Sequence, residues 1–285
     1  MSTLKIAIQK SGRLNEDSIQ ILKDCGIAIN NGNDQLKAEA TNFPLEILFL
    51  RNSDIPQYLI DGVVDAAILG DNLLVEKGQN IQVVEKLGFS KCKVSVAVPK
   101  TFQYNSVQDL NGLRIATSYP NTVLNYFKSK NVTVDLHQIS GSVEIAPNIG
   151  LSDAIVDIVS SGSTLFKNNL KEVEVIFKSE AVLAVSPSIS DDNQAILNKL
   201  IFRIQSVLKA RKSKYILMNI PNDKIETISK ILPVLKSLTV MPLAVEGWSS
   251  VHSVIEEATF WEVIDQLKNA GAEGILVCPI EKMVL

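Results

Sequence analysis

The strongest constraint on the fold is a regular alternation of short apolar runs with helical patterns. Residues 4–9, 45–50, 64–69 and 93–98 read as strands, and residues 15–25, 55–62 and 72–77 between them read as helices or helical turns. A chain that alternates in this way buries its strands in a mainly parallel sheet with helices on the faces. A second cycle follows, with strands at 113–116, 132–138 and 153–159 and helices at 123–130 and 146–151. The cycles share a short repeat. Gly62-Val-Val-Asp65-Ala66 and Gly150-Leu-Ser-Asp153-Ala154 each lead into an apolar strand, and each strand runs to a glycine loop, at Gly70 and at Gly162. Two similar α/β lobes facing each other across a cleft account for this repeat.

Beyond the second cycle, Ile196, Leu200, Ile204 and Leu208 recur at i+4, so 192–212 reads as one long amphipathic connector helix. The remainder reads as strand 215–220, helix 223–235, strands 239–243 and 249–255, helix 260–269 and strand 274–280. That βαββαβ order is the ferredoxin-like split unit, and Asn269-Ala-Gly271 supplies a helix stop. Trp248 and Trp261 fall in this unit and read as packing or interface residues.

Composition narrows the function classes. A net charge of −3 over 285 residues argues against broad adhesion to nucleic acid or to an anionic membrane. No apolar run reaches the ~18 residues of a membrane span, and the first residues lack a signal-peptide pattern, so the expectation is a cytoplasmic protein. Cys25, Cys92 and Cys278 form no metal-ligand spacing and read as reduced thiols. With only His137 and His252 present, neither in a nucleophile motif, a histidine-centred triad or zinc site is disfavoured.

The chemistry concentrates in Asp157-Ile-Val-Ser160-Ser161-Gly162-Ser163-Thr164. A strand delivers an acid, and a hydroxyl-rich glycine loop then opens a helix at 164–168. Backbone N–H groups at a helix start hold phosphate, glycine admits close approach, and Asp157 stands where a ribose diol would donate to it. Acid, two apolar residues, x, Ser/Thr, Gly, x, Thr is a phosphoribosyl pyrophosphate pattern, although Val156 replaces the first of the two acids of the common type. The same string also fits a polar β–α turn with an ordinary N-cap. Glu144, in the Ser/Gly-rich stretch 139–147, fits either a solvated loop carboxylate or a second group on the ribose. Lys10, Gly12 and Arg13 follow the first strand and Arg51 follows another, placing three cations at consecutive carboxyl strand ends, where such sheets bind ligands.

Together these residues resemble the long, allosteric form of the ATP phosphoribosyltransferase family, the first enzyme of histidine biosynthesis. The resemblance is carried by Ile6-Ala-Ile-Gln-Lys10-Ser-Gly12-Arg13-Leu14, Asp54-Ile-Pro56, Gly62-Val-Val-Asp65, Arg114-Ile-Ala-Thr-Ser-Tyr-Pro-Asn121, Ser140-Gly-Ser-Val-Glu144-Ile-Ala-Pro147, residues 153–164, Ala210-Arg-Lys212 and Gly274-Ile-Leu-Val-Cys-Pro-Ile-Glu-Lys282. It implies two lobes like those of type II periplasmic binding proteins around a cleft, plus a C-terminal ferredoxin-like or ACT-like βαββαβ domain. Catalytic lobe I with the connector helix would be 1–92 and 180–212, lobe II with the phosphoribosyl pyrophosphate loop 93–179, and the regulatory domain 213–285.

The resemblance further implies transfer of the phosphoribosyl group of phosphoribosyl pyrophosphate to N1 of ATP. Asp157 and Glu144 would meet the ribose, Ser160, Ser161, Gly162, Ser163 and Thr164 the 5-phosphate, and Lys10, Gly12, Arg13 and Arg51 the remaining phosphates. Mg²⁺ is implied, with no protein ligand assigned. So are a homo-oligomer, hexameric or dimeric, and feedback inhibition by histidine near Thr239, Ser253 and Ala272. Two other readings compete. Prephenate dehydratase also joins two such lobes to a small regulatory domain, but its Thr-Arg-Phe catalytic stretch is absent here. A pure solute-binding protein on the same lobes would need a signal peptide or a DNA-binding segment, and neither is apparent in the sequence.

Overall fold

The computed structural model describes residues 2–30, 36–77, 81–232 and 237–284. The first lobe runs β1 (Leu4–Gln9), α1 (Arg13–Asp24), β2 (Lys37–Glu39), β3 (Leu45–Leu50), α2 (Ile55–Ile60), β4 (Ala66–Gly70), α3 (Asp71–Lys77) and β5 (Gln82–Lys86). The chain then leaves for the second lobe, β6 (Cys92–Pro99), β7 (Arg114–Thr117), α4 (Pro120–Ser129), β8 (Asp135–Gln138), β9 (Ala154–Val159), α5 (Ser163–Lys167) and β10 (Leu170–Ser179). It returns as β11 (Ala181–Val185) and enters α6 (Asp191–Lys212).

Among the described residues the first sheet has the order β2-β3-β1-β4-β11-β5 and the second β10-β6-β9-β7-β8. Strand β1 is parallel to β3 and β4, with β11 antiparallel between β4 and β5. Likewise β7 is parallel to β8 and β9, with β6 antiparallel between β9 and β10. Apart from the edge strand β2, the two sheets have one topology; the first takes its antiparallel strand β11 from beyond the second lobe, whereas β6 to β10 build the second sheet from one continuous stretch. Inner strands covered on both faces need no polar alternation. Accordingly β4 is buried from Ala66 to Leu69 and β11 throughout.

The repeat seen in the sequence has a physical meaning at this level. Asp65 and Asp153 precede the equivalent strands β4 and β9. The Asp65 carboxylate accepts the N–H of Lys5 at 2.7 Å, and the N–H of Asp65 donates to the Lys5 carbonyl at 2.9 Å. Asp153 does the same with Arg114, at 3.0 and 2.8 Å. Each aspartate clamps the start of the parallel strand beside it and so fixes the register of its lobe. In the second lobe the Arg114 guanidinium also grips the Asp153 carboxylate at 2.8 Å and holds it below the usual carboxylate range.

The C-terminal part runs β12 (Ser213–Pro221), α7 (Ile225–Ile231), β13 (Thr239–Pro242), β14 (Trp248–Glu256), α8 (Glu257–Asn269) and β15 (Glu273–Pro279). Its sheet order β13-β14-β12-β15, antiparallel throughout, is the ferredoxin-like arrangement. One face packs Ile216, Met218, Ile220, Val251 and Ile255 against Ile228, Phe260 and Leu267. The chain divides into two compact units, Met1–Lys23 with Ile27–Asn198 and Asp24–Gly26 with Lys199–Leu285, and the division falls within α6.

Several local expectations change. Residues 146–151 are not a helix: a 3-10 turn at Val143–Ile145 passes into successive turns, because Gly150 is left-handed at φ +74 and ends the run. Strands β2, β5, β10 and β11 have no counterpart in the sequence reading. The helix expected over 223–235 is a 3-10 turn followed by Ile225–Ile231, and its expected end at Leu235 lies outside the described residues. Trp261 is 70% exposed, its ring edge-on to Phe260, so of its two expected roles it does not fill the core. All three cysteines are free.

Candidate active site

The carboxyl ends of the parallel strands carry opposite chemistry in the two lobes. In the first, β1 and β3 finish side by side with Gln9 opposite Leu50, and the N–H of Lys10 donates to the Leu50 carbonyl at 2.8 Å. Lys10 and Arg51 therefore leave adjacent strand ends. Gly12 turns the chain at φ +86, and the Asn15 amide donates to the Gln9 carbonyl at 2.7 Å, pinning that turn to the strand. Arg13 opens α1 with its side chain 78% exposed, 3.9 Å from Asp17. An ion pair so exposed contributes little and leaves the guanidinium available to an anion. Lys10, Gly12, Arg13 and Arg51 are all at the surface of this edge.

In the second lobe the edge carries acids and hydroxyls. Asp157 lies half-buried near the end of β9, one carboxylate oxygen accepting the N–H of Ile158 at 2.8 Å. Burial pushes its carboxyl up from 3.8 to about 6; the Ile158 N–H opposes this, and the nearby charge of Glu144 adds to it. The structure thus brings Glu144 and Asp157 together, Glu144 being presented by the 3-10 turn after the left-handed pair Gly141 and Ser142. Ser160, Ser161, Ser163 and Thr164 are exposed around Gly162, with the Ser161 and Ser163 hydroxyls 3.0 Å apart.

Gly162 is left-handed at φ +73, and a Cβ there would meet nothing within 4 Å in the chain. The space above the loop is open, as a phosphate seat requires. Helix α5 has only five residues, so the anion-holding capacity rests on the local N–H groups and hydroxyls of the loop. So short a helix has no long macrodipole to add.

Two residues unremarked in the sequence reading join the lobes at these edges. Glu76 on α3 is buried, and its carboxylate accepts the N–H groups of Asn121 and Thr122 at 3.0 and 2.9 Å and the Thr122 hydroxyl at 2.8 Å. A carboxylate from one lobe thereby satisfies the first turn of a helix in the other. Asn72, also buried, donates its amide to the Tyr119 hydroxyl at 3.0 Å and accepts from Ser179 at 3.1 Å. Its folded-back amide crowds the position a Cβ would take at Gly70, which accounts for the glycine that ends β4. Tyr119 stands two residues beyond Thr117, which pairs with Val156, so it reaches the same edge as Asp157. The Asp157 charge, secondary to burial, helps raise the Tyr119 hydroxyl. The signal available in the sequence was Tyr119-Pro120 shortly after a strand, a helix entry at the carboxyl edge of the sheet.

Among the described residues no three His, Cys, Asp or Glu side chains are placed to hold a metal ion. The acid pair Glu144 and Asp157 suits a hard cation that takes most of its oxygens from phosphate and water, as Mg²⁺ commonly does. In the C-terminal sheet Thr239 pairs with His252 and shares its face, whereas Ser253, one residue on, faces the helices and is buried, as is Ala272. Thr239 and Ser253 therefore lie on opposite faces of this sheet.

Comparisons with known proteins agree with this geometry. Residues 51–206 match the sequence model described as ATP phosphoribosyltransferase, and residues 210–282 that described as HisG, C-terminal domain. The chain is 56% identical over 285 residues to an ATP phosphoribosyltransferase of Cytophaga hutchinsonii, covering 100% of both. It is 50% identical over 282 residues to one from Bacteroides thetaiotaomicron, covering 99% of this chain and 100% of the relative. Among solved structures it is similar to the ATP phosphoribosyl transferase (HisG:HisZ) complex from Thermotoga maritima, with a TM-score of 0.63, 30% identity, and coverage of 73% of this chain and 99% of that one. A substrate-binding protein of an amino-acid ABC transporter shares the lobe fold at a TM-score of 0.50 and 16% identity, covering 73% and 94% of the two chains.

Proposed function

Because this chain belongs to the ATP phosphoribosyltransferase family, which carries out the first step of histidine biosynthesis, we infer that it transfers the 5-phosphoribosyl group of phosphoribosyl pyrophosphate to N1 of the ATP adenine. The carrying observation is the Asp157–Glu144 pair beside the open loop Ser160–Thr164, with cations at the equivalent edge of the other lobe. In the reaction the bond from ribose C1 to the pyrophosphate oxygen breaks and a bond from C1 to N1 forms, the leaving group taking the electron pair. The sugar is cationic at the transition state and the leaving group is a good one. Positioning and charge stabilisation then supply most of the rate, without a strong base.

Residue roles follow from placement. Asp157 and Glu144 accept from the ribose hydroxyls and stabilise the developing positive charge. Ser160, Ser161, Gly162, Ser163 and Thr164 hold the 5-phosphate through N–H groups and hydroxyls. Lys10, Arg13 and Arg51, with the backbone at Gly12, neutralise the remaining phosphates of ATP and phosphoribosyl pyrophosphate. Mg²⁺ would supply charge neutralisation for the phosphates, and Glu144 and Asp157 are the acids that would hold it.

We assign catalysis to residues 1–92 with 180–212 and to 93–179, and sensing to 213–285. Histidine is the proposed inhibitor. Because Thr239 and Ser253 face opposite sides of their sheet, a histidine touching both sits where two modules meet, which favours a homo-oligomer of the hexamer or dimer type. No helix among the described residues is long and apolar enough to cross a membrane, and a cytoplasmic biosynthetic role needs no membrane or nucleic-acid partner. The decisive assay follows N1-phosphoribosyl-ATP and pyrophosphate formation from the two substrates, with and without histidine. Failure to form product with both substrates and Mg²⁺ present would exclude the reaction, and product formation indifferent to histidine would exclude the regulation alone.

A further inference from the structure

Beside the phosphate loop lies a second feature that the roles above leave unused, a cavity of ≈ 430 Å³ where β6 and β10 open toward the crossovers. Lys91, Lys93 and Lys178 line it, with Cys92, Ser160 and Glu180. The strand register explains their convergence. Lys93 pairs with Lys178 across the β6–β10 ladder, and with Val159 across the β6–β9 ladder, so the chain emerges from β9 as Ser160 next to the lysines. Like charges directly opposite in a ladder are unfavourable. One is compensated, Lys93 meeting Glu172 at 2.7 Å, with Ser95 on the other Glu172 oxygen at 2.8 Å. Lys91 and Lys178 remain exposed at the cavity, opposed there by the single carboxylate of Glu180. The volume is that of a small-ligand pocket, and Ser160 is shared with the 5-phosphate seat.

We propose that this cavity binds an oligophosphate chain, with Lys91 and Lys178 as the charged contacts and Ser160 as the link to the 5-phosphate. The proposal rests on the phosphoribosyl transfer inferred above, in which two substrates each bring such a chain: the pyrophosphate of phosphoribosyl pyrophosphate and the triphosphate of ATP. It adds specificity-determining residues on the second lobe to the cations of the first. Lysine serves here as a mobile point charge, suited to a chain that departs during the reaction.

The test measures binding of inorganic pyrophosphate and of tripolyphosphate to the full chain by calorimetry, for the wild type, Lys91→Gln, Lys178→Gln and the double variant. Lys128→Gln is an exposed control on α4, and Lys91→Arg and Lys178→Arg retain the charge. Each glutamine substitution is expected to weaken binding on the order of tenfold, as for a hydrogen bond to a charged group, and to flatten its salt dependence, whereas the control and the arginine variants stay close to wild type. Steady-state kinetics separates the sources. A raised KM for phosphoribosyl pyrophosphate alone places the pyrophosphate in the cavity, and a raised KM for ATP alone places the triphosphate there. Oligophosphate affinities that are absent, or unchanged by the double variant, overturn the proposal even if the enzyme is fully active. Conversely, lysine-dependent oligophosphate binding in a chain that forms no phosphoribosyl-ATP would keep the cavity assignment and sink the reaction.

Discussion

Asp157 is held in the folded protein at a cost set mainly by its burial. Its carboxyl is raised from 3.8 to about 6, so between those values the folded chain binds more protons than the unfolded one. Stability therefore falls as pH rises through that window; the penalty is complete above it and absent below it. Asp157→Asn keeps an oxygen for the Ile158 N–H and removes the charge. At pH 7.5 it should stabilise the free protein by about 1–3 kcal/mol, with the gain fading near pH 4 in urea denaturation. The same variant should lose kcat/KM by on the order of 100-fold, and a variant of normal activity would make this acid merely structural. For the wild type, kcat/KM should rise with pH near 6, where the free enzyme acquires the carboxylate.

Gly162 has a different sensitivity. Its φ of +73 with open space above it means that Gly162→Ala should cost only about 1 kcal/mol of stability, yet should obstruct phosphoribosyl pyrophosphate, whose calorimetric affinity reports the outcome. Asp157, Gly162 and the hydroxyls were legible in the sequence because one contiguous strand–loop–helix presents them. Tyr119, Asn72, Lys91 and Lys178 were not, since their roles arise only from pairing between distant segments.

At the level of elements, the contact between α3 and α4 links the two lobes beside their candidate edges. The Glu76 carboxylate accepts three hydrogen bonds from the first turn of α4 in a buried position. Removing a buried charged acceptor leaves its donors unsatisfied, so Glu76→Ala should destabilise by about 2–4 kcal/mol. Because it touches no proposed substrate group, its kinetic effect should appear in KM for both substrates together, through misalignment of the edges. A change confined to one KM would count against an aligning role. Most helices and the inner parallel strands were readable, β1 and β3 to the residue. The missed strands have physical reasons. Strand β10 lies at a sheet edge and carries Glu172, Glu174 and Lys178, which break the apolar pattern; β5 is also an edge strand. Strand β11 is five apolar residues, too short for periodicity to reveal its partner.

For the molecule as a whole, the proposed separation of sensing from reacting is the feature to test. The unit that contains β12 to β15 also includes Asp24–Gly26 and the end of α6, and Arg211 bonds Asp24 at 2.6 Å within it. A chain ending at Lys212 should therefore lose histidine inhibition and also melt at a lower temperature, since Val207 and Ala210 are buried. Unchanged inhibition at the same histidine concentration, in a folded and active truncation, would remove sensing from residues 213–285.

The borrowed strand also sets a timetable for synthesis. Strand β11 lies between β4 and β5, although it follows them by about a hundred residues of chain. A growing polypeptide cannot complete its amino-terminal sheet until residue 185 has left the ribosome. The second sheet, by contrast, is built wholly from Cys92 to Ser179. The usual order, amino-terminal domain first, should thus be inverted: nascent chains arrested with residue 180 just emerged should protect the middle of the protein from protease while its beginning is still cleaved.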